Sequence, residues 1–318
     1  MAKTRPEDRV GRRLKFRDLQ VFFAVTASGT MAEAARQLNL TQPAVSEIIA
    51  QLEHLFGARL FDRTTRGVEA TIFGRALLRR AQAALDEMRQ GVRDIEFLSD
   101  PTVGEVCVGC AQRLSAAIMP QIVERFSQAY PRVMLQIDEL TPLTRELPSL
   151  RERKYDLLMG RANSPSGEEY FPDDVNVEIL FDDSFVVASA SASPWARRRK
   201  IDIADLTQAR WVLTGPETFG YTGVAEAFHR RGLAMPEVTV ITSSIVIANH
   251  LLAKNQAITV TSKFAATASG LHILPVDLGL GSWPALILTL KNRTLNPVAE
   301  RFIACAREVV QSMSSRRN

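Results

Sequence analysis

Cys107 and Cys110 stand in the segment GEVCVGC at the C-x-x-C spacing of a dithiol redox couple. Such a couple needs a thiolate, which a helix N-terminus or a neighbouring cation stabilises. The segment instead reads as a buried strand, where residues three apart point to opposite faces, so the spacing does not support redox chemistry. Cys305 is spaced like a core residue of the last helix, and an odd total of three cysteines fits a reducing compartment rather than a disulfide framework. The four histidines form no ligand cluster, and the chain has no H-E-x-x-H, Gly-rich phosphate loop or nucleophile elbow. The expectation is therefore no catalytic residue, no metal and no cofactor.

The remaining candidates are suited to holding a ligand. Gln112, Arg113 and Ser115 in CAQRLS follow a strand and open a helix, where a guanidinium can grip a carboxylate through two parallel hydrogen bonds. Arg161 in GRA, Thr214 and Thr218 in TGPETFG, and Ser243 and Ser244 in TSSIVIANH occupy comparable strand-to-helix passages. Each has a plainer reading: Arg113 in solvent, the serines as ordinary helix caps, and the nearby His250 as a structural residue.

Strands and helices alternate in the C-terminal two thirds, as in an open α/β sheet. GEVCVGC, RVMLQIDEL and DLLMGRA read as strands separated by helices, with GRA at a first crossover; a second unit runs from DDSFVVASA to GLHILPVD. The chain then returns through PALILTL and the helix NPVAERFIACAREVVQSM. This predicts two lobes, one from residues 103–180 and 283–314 and the other from 181–282, with a ligand cleft at strand C-terminal ends and helix N-termini.

The N-terminal part is organised differently. Residues 1–80 hold 14 Lys and Arg against 8 Asp and Glu, while residues 99–318 hold 23 of each. One basic end and one neutral end suggest that only the first meets a polyanion. After a basic arm (1–15), the spacing predicts a helix with Leu19, Phe22, Phe23 and Thr26 on one face, ending at Gly29. TMAE then reads as a capping box between Thr30 and Glu33. A third helix opens on Thr41 as cap and carries Pro43 in its first turn, where a missing N–H costs nothing. Val45, Ile49, Leu52 and Phe56 form its core stripe, and Pro43, Ser46, Glu47, Ala50 and His54 its small or polar face. That face is either ordinary solvated surface or a surface shaped to lie against another molecule. RLFDR and GVEAT then form a hairpin tipped by Arg63, Thr64, Thr65 and Arg66, which completes a winged helix-turn-helix.

Residues 17–75 resemble the DNA-binding domain of the LysR-type transcriptional regulators. The resemblance rests on A-A-x-x-L, T-Q-P-A-V-S, L-E-x-x-x-G, L-F-x-R and A-T-x-x-G at their present spacings. It implies that Thr41, Gln42, Pro43 and Ser46 begin a helix in the DNA major groove and that Arg63, Thr64 and Arg66 form the wing. Glu47 and Ile48 depart from the Arg and Gln that the family commonly carries there. Glu can accept from cytosine but is repelled by phosphate, so Glu47 is expected to restrict binding and leave more of the affinity to wing and arm. The resemblance also implies an effector domain like the periplasmic binding proteins. In that family the loop after the first strand often carries Ser or Thr, where this chain has Ala111 and Arg113.

From Thr71 to Asp100 the pattern is one long helix, with Leu78, Ala81, Leu85, Met88, Val92 and Ile95 at coiled-coil spacing. The seam packs either on its own domain or on a second copy, and the resemblance favours a homodimer through this linker (72–98), commonly doubled to a homotetramer.

The expected fold is thus an N-terminal all-α winged helix-turn-helix (16–75) with a linker helix, followed by a two-lobed α/β effector domain (103–318). The expected partners are double-stranded DNA and a small anionic effector, with a carboxylate the leading candidate. Without a secretory signal or a run of about 20 apolar residues, no membrane partner is expected and a cytoplasmic location is. The competing reading is a constitutive or architectural DNA-binding protein with a vestigial ligand domain.

Overall fold

A computed structural model of the chain describes residues 13–65, 67–140, 143–161, 171–255 and 257–315. Residues 1–12 of the basic arm, and Arg66 of the wing, lie outside the described residues. The chain divides into two compact units, Met1–Val92 and Arg93–Asn318.

The first unit begins with α1 (Phe16–Ser28), which ends on the left-handed Gly29. Its buried face is Leu19, Val21, Phe22 and Val25; Phe23 and Thr26 are only half-buried, because the valines rather than they point at the neighbouring helices. Helix α2 (Met31–Gln37) is capped by Thr30, whose hydroxyl accepts from the Glu33 amide at 3.2 Å. The Glu33 carboxylate does not reach back as a capping box requires. It takes hydrogen bonds from Arg36 at 2.6 and 2.9 Å and from Gln37 at 3.2 Å, so only one half of the box forms. Helix α3 (Gln42–Phe56) follows, then strands β1 (Phe61–Thr64) and β2 (Gly67–Ala70), paired antiparallel with Thr64 opposite Gly67. Arg63 therefore lies within the ladder opposite Val68, one step before the tip. A core of Phe22, Val25, Ala34, Ala35, Val45, Ile49, Leu52, Leu60 and Phe61 ties these elements together. Helix α4 (Ile72–Ser99) leaves from β2.

The second unit contains two five-stranded sheets. The first has β3 (Val103–Ala111) between β4 (Arg132–Leu140) and β5 (Leu157–Arg161), all parallel; β12 (Ala285–Leu290) then pairs antiparallel with both β5 and β6 (Val175–Phe181). The sheet is thus mixed. Strand β6 stands between the GRA segment and the crossover, which falls at Asp182–Ser184 and not at Arg161 as the sequence suggests. Helices α5 (Gln112–Ala129), α6 (Leu143–Arg151) and α10 (Pro297–Ser315) belong with this sheet. The second sheet runs β11 (Leu271–Ile273), β7 (Phe185–Ala190), β10 (Ile258–Ser262), β8 (Trp211–Leu213) and β9 (Val238–Ile241), with helices α7 (Phe219–His229), α8 (Ile245–Asn255) and α9 (Lys263–Ala268). Each lobe has its own apolar core. The short helix α9 contributes Phe264 and Ala265 to the core of the first lobe, which joins the lobes at their base. Among the described residues, no helix is long and apolar enough to cross a membrane.

Candidate nucleic-acid interface and ligand cleft

The Thr41 hydroxyl accepts from the Ala44 amide at 3.4 Å, and Pro43 occupies the first turn of α3. Val45, Ile49 and Leu52 are buried, while Thr41, Gln42, Pro43, Glu47, Ala50 and His54 are exposed and Ser46 is half-buried beside them. The Glu47 carboxylate accepts from the Gln51 side chain at 3.2 Å along the exposed face. Ile48 is half-buried against the core, so it contributes packing rather than an exposed polar group. Arg63 and Thr64 are exposed on β1.

Several motif residues prove to position this surface rather than belong to it. Glu53 of L-E-x-x-x-G accepts from the amides of Leu60 at 2.7 Å and Phe61 at 3.2 Å, fixing the start of the wing to α3. The Phe61 ring packs on Phe22 with centroids 5.3 Å apart. Thr71 of A-T-x-x-G donates its hydroxyl to the Arg59 carbonyl at 2.7 Å and accepts from the Gly74 amide at 3.1 Å. A Cβ on Gly74 would lie 2.2 Å from the Leu60 carbonyl oxygen, so only glycine admits that approach of α4 to the wing. Gly67, at φ +142°, is under the same constraint from the Gly29 carbonyl. The Val68 amide donates to that carbonyl at 2.8 Å, anchoring the wing to the end of α1.

In the second unit Gln112 is the first residue of α5, preceded by Ala111, which has no side chain able to cap it. Arg113 is next, half-buried, and among the described residues no carboxylate pairs with it. Burial, and secondly the charge of Arg161, lower the Arg113 pKa. Such a guanidinium remains protonated, and its cost is relieved by a bound anion. Ser115, one turn in, is half-buried. Arg161 is already committed: Nη2 donates to Asp183 at 2.5 Å and Nη1 to the Trp283 carbonyl at 3.0 Å. Asp183 also accepts from the Phe264 amide at 3.1 Å, and its backbone carbonyl accepts from the Trp283 amide at 2.7 Å. This buried aspartate thus ties both crossovers, β5 and α9 together, a role no local motif reveals.

The hydroxyls on the second lobe are less available than their sequence suggests. Thr218 donates to the Gly215 carbonyl at 2.7 Å, so Thr214 must be the donor in the 2.5 Å contact between the two threonines. Both protons are spent internally, and only acceptor capacity remains for a ligand. Ser244 caps α8, accepting from the Ile247 amide at 3.4 Å, while Ser243 and His250 are exposed. The cysteines face apart as their strand spacing requires: Cys107 beside one apolar cluster, Cys110 within another. Burial, then the charges of Asp156 and Glu105, push the Cys107 thiol up to about 11, and burial raises Cys110 as well. Among the described residues no group of three or more His, Cys, Asp or Glu is placed to hold a metal ion.

A three-helix unit with a β wing, followed by a two-lobed α/β domain, is the architecture of a ligand-linked DNA-binding protein. Residues 16–75 match the bacterial regulatory helix-turn-helix proteins of the lysR family, and residues 99–311 match the LysR substrate-binding domain. The chain belongs to the LysR family of transcriptional regulators. It is 28% identical over 299 residues to the transcriptional regulator TdcA of Escherichia coli K12, covering 92% of this chain and 93% of that one. A full-length OxyR variant of Pseudomonas aeruginosa shares the fold at a TM-score of 0.63 and 21% identity, with 94% of this chain and 95% of that one covered. Full-length CbnR complexed with its target DNA does so at 0.60 and 20%, covering 93% and 100%. The protein is a DNA-binding transcriptional regulator with a substrate-binding domain, not an enzyme.

Proposed function

We propose that the protein reads a two-fold DNA site in the cytoplasm and that a small carboxylate, bound between its two α/β lobes, controls that activity. Gln42, Pro43, Ser46 and Glu47 of α3 enter the major groove, and Arg63, Thr64 and Arg66 of the wing meet the backbone. CbnR, which shares the fold, has been captured on its target DNA, in keeping with this docking. The exposed Met88, Val92 and Ile95, spaced four and three apart on α4, support a homodimer through that helix, which two such dimers extend to a tetramer.

The observation that carries the ligand assignment is Arg113: a half-buried cation at an uncapped helix N-terminus, with Arg161 rather than a carboxylate as its charged neighbour. Gln112 and Ser115 flank it on the same turn of helix. Thr214, Thr218, Ser243 and Ser244 line the opposite side, the threonines as acceptors. Thermal melting of the full-length protein with carboxylic acids and with their amides tests the assignment. Carboxylates raise the melting temperature, amides do not, and Arg113→Gln removes the response. Equal shifts from acids and amides would contradict it.

A further inference from the structure

Arg113 is one end of a continuous set of side chains whose other end is aromatic. Arg161, close enough for its charge to bear on Arg113, has its guanidinium carbon 5.9 Å from the centroid of the Phe185 ring. Phe185 meets Phe219 with centroids 5.1 Å apart and Trp283 at 6.0 Å, and Phe219 lies 3.7 Å from Trp283. The three rings come from separate segments: the start of β7, the first residue of α7 and the second crossover. Trp283 is buried and its indole N–H is spent on the Leu280 carbonyl at 2.8 Å. Phe185 and Phe219 are only half-buried, although the apolar core of their lobe continues behind them. Gly223 leaves no room for adjustment there, since a Cβ would stand 3.2 Å from Phe219 Cζ and 2.9 Å from Leu280 Cδ2.

A carboxylate ligand on Arg113 therefore has rigid aromatic faces within reach and, at Thr214 and Thr218, no free hydroxyl proton. Building on the reading of Arg113 as the anion site, we infer that the effector is a carboxylate carried on a flat aromatic or conjugated skeleton. Its charge lies against Arg113 and its ring against Phe219 and Phe185. Aliphatic acids of equal size bury similar area but lack the ring-to-ring interaction, which favours aromatic acids by about threefold to tenfold.

Calorimetric titration of the full-length protein with matched probes tests this: benzoate against cyclohexanecarboxylate, cinnamate against 3-cyclohexylpropanoate, and benzamide as the neutral control. The expected result is tighter binding of the aromatic member of each pair and none of benzamide. Phe219→Leu, which keeps apolar volume and leaves Arg113 in place, should bring each pair to equal affinity without lowering the melting temperature of the free protein appreciably. Equal binding of aromatic and saturated acids to the wild type would overturn the aromatic assignment and leave the anion site standing. Binding of benzamide as tight as benzoate, or binding of no acid at all, would overturn both.

Discussion

Glu47 stands on the exposed face of α3 two positions after the buried Val45, and Gln51 is its hydrogen-bond partner. A carboxylate there repels phosphate and accepts only from a base amino group, so it selects among sequences more than it adds affinity. Glu47→Arg should strengthen binding to unrelated DNA and change the preferred operator, a shift of about 1–3 kcal/mol at that base pair. Gel-shift titration on both DNAs checks this, and two unchanged affinities would contradict it. Glu53 makes the opposite case: its carboxylate serves the wing rather than DNA. Losing two part-buried amide bonds to Glu53→Ala should cost the first unit about 2 kcal/mol and weaken operator binding through a misplaced wing. Glu53→Gln, which keeps one acceptor oxygen, should recover part of both in melting and gel-shift measurements.

The linker helix is the element whose sequence pattern requires most correction. Leu78 of the expected seam packs against the core of the first unit, and Ala81 is buried. Met88, Val92 and Ile95 remain exposed at 56, 54 and 66%. Any pairing seam is therefore the second half of the helix. Val92→Glu with Ile95→Glu should leave the fold and its melting intact but shift sedimentation toward monomer and abolish cooperative operator binding; an unshifted sedimentation profile would refute the role of this stripe. At the same end of α4, Arg93 lies 3.8 Å from Asp156, which is buried, pairs with the buried Arg293 at 2.9 Å and accepts from the Cys107 amide at 2.9 Å. Arg293→Ala leaves that carboxylate without its closest cation and should lower the stability of the second unit by about 3–5 kcal/mol, read from denaturant unfolding.

At the scale of the molecule, the helix starts, core stripes, wing and strand order were legible in the sequence because each depends on local spacing or on capping residues such as Thr41. What was not legible depends on partners distant in the chain. Asp183 joins residues 161, 264 and 283, and the Phe185, Phe219 and Trp283 rings meet only once both crossovers are made. The same limit explains the ligand residues. Arg113 could be read as a cation at a helix start, but that its charged neighbour is another arginine required the fold. That Thr214 and Thr218 satisfy each other required the turn geometry between them. The account as a whole holds that two reading helices on one two-fold site answer to an anion at Arg113. Footprinting of the operator by the full-length protein, with and without the carboxylate that raises its melting temperature most, tests this directly. Two protected half-sites separated by whole helical turns of about 10 base pairs are expected, altered by the carboxylate in the wild type and unaltered in Arg113→Gln. A footprint indifferent to every carboxylate that binds, or protection without sequence preference, would contradict it.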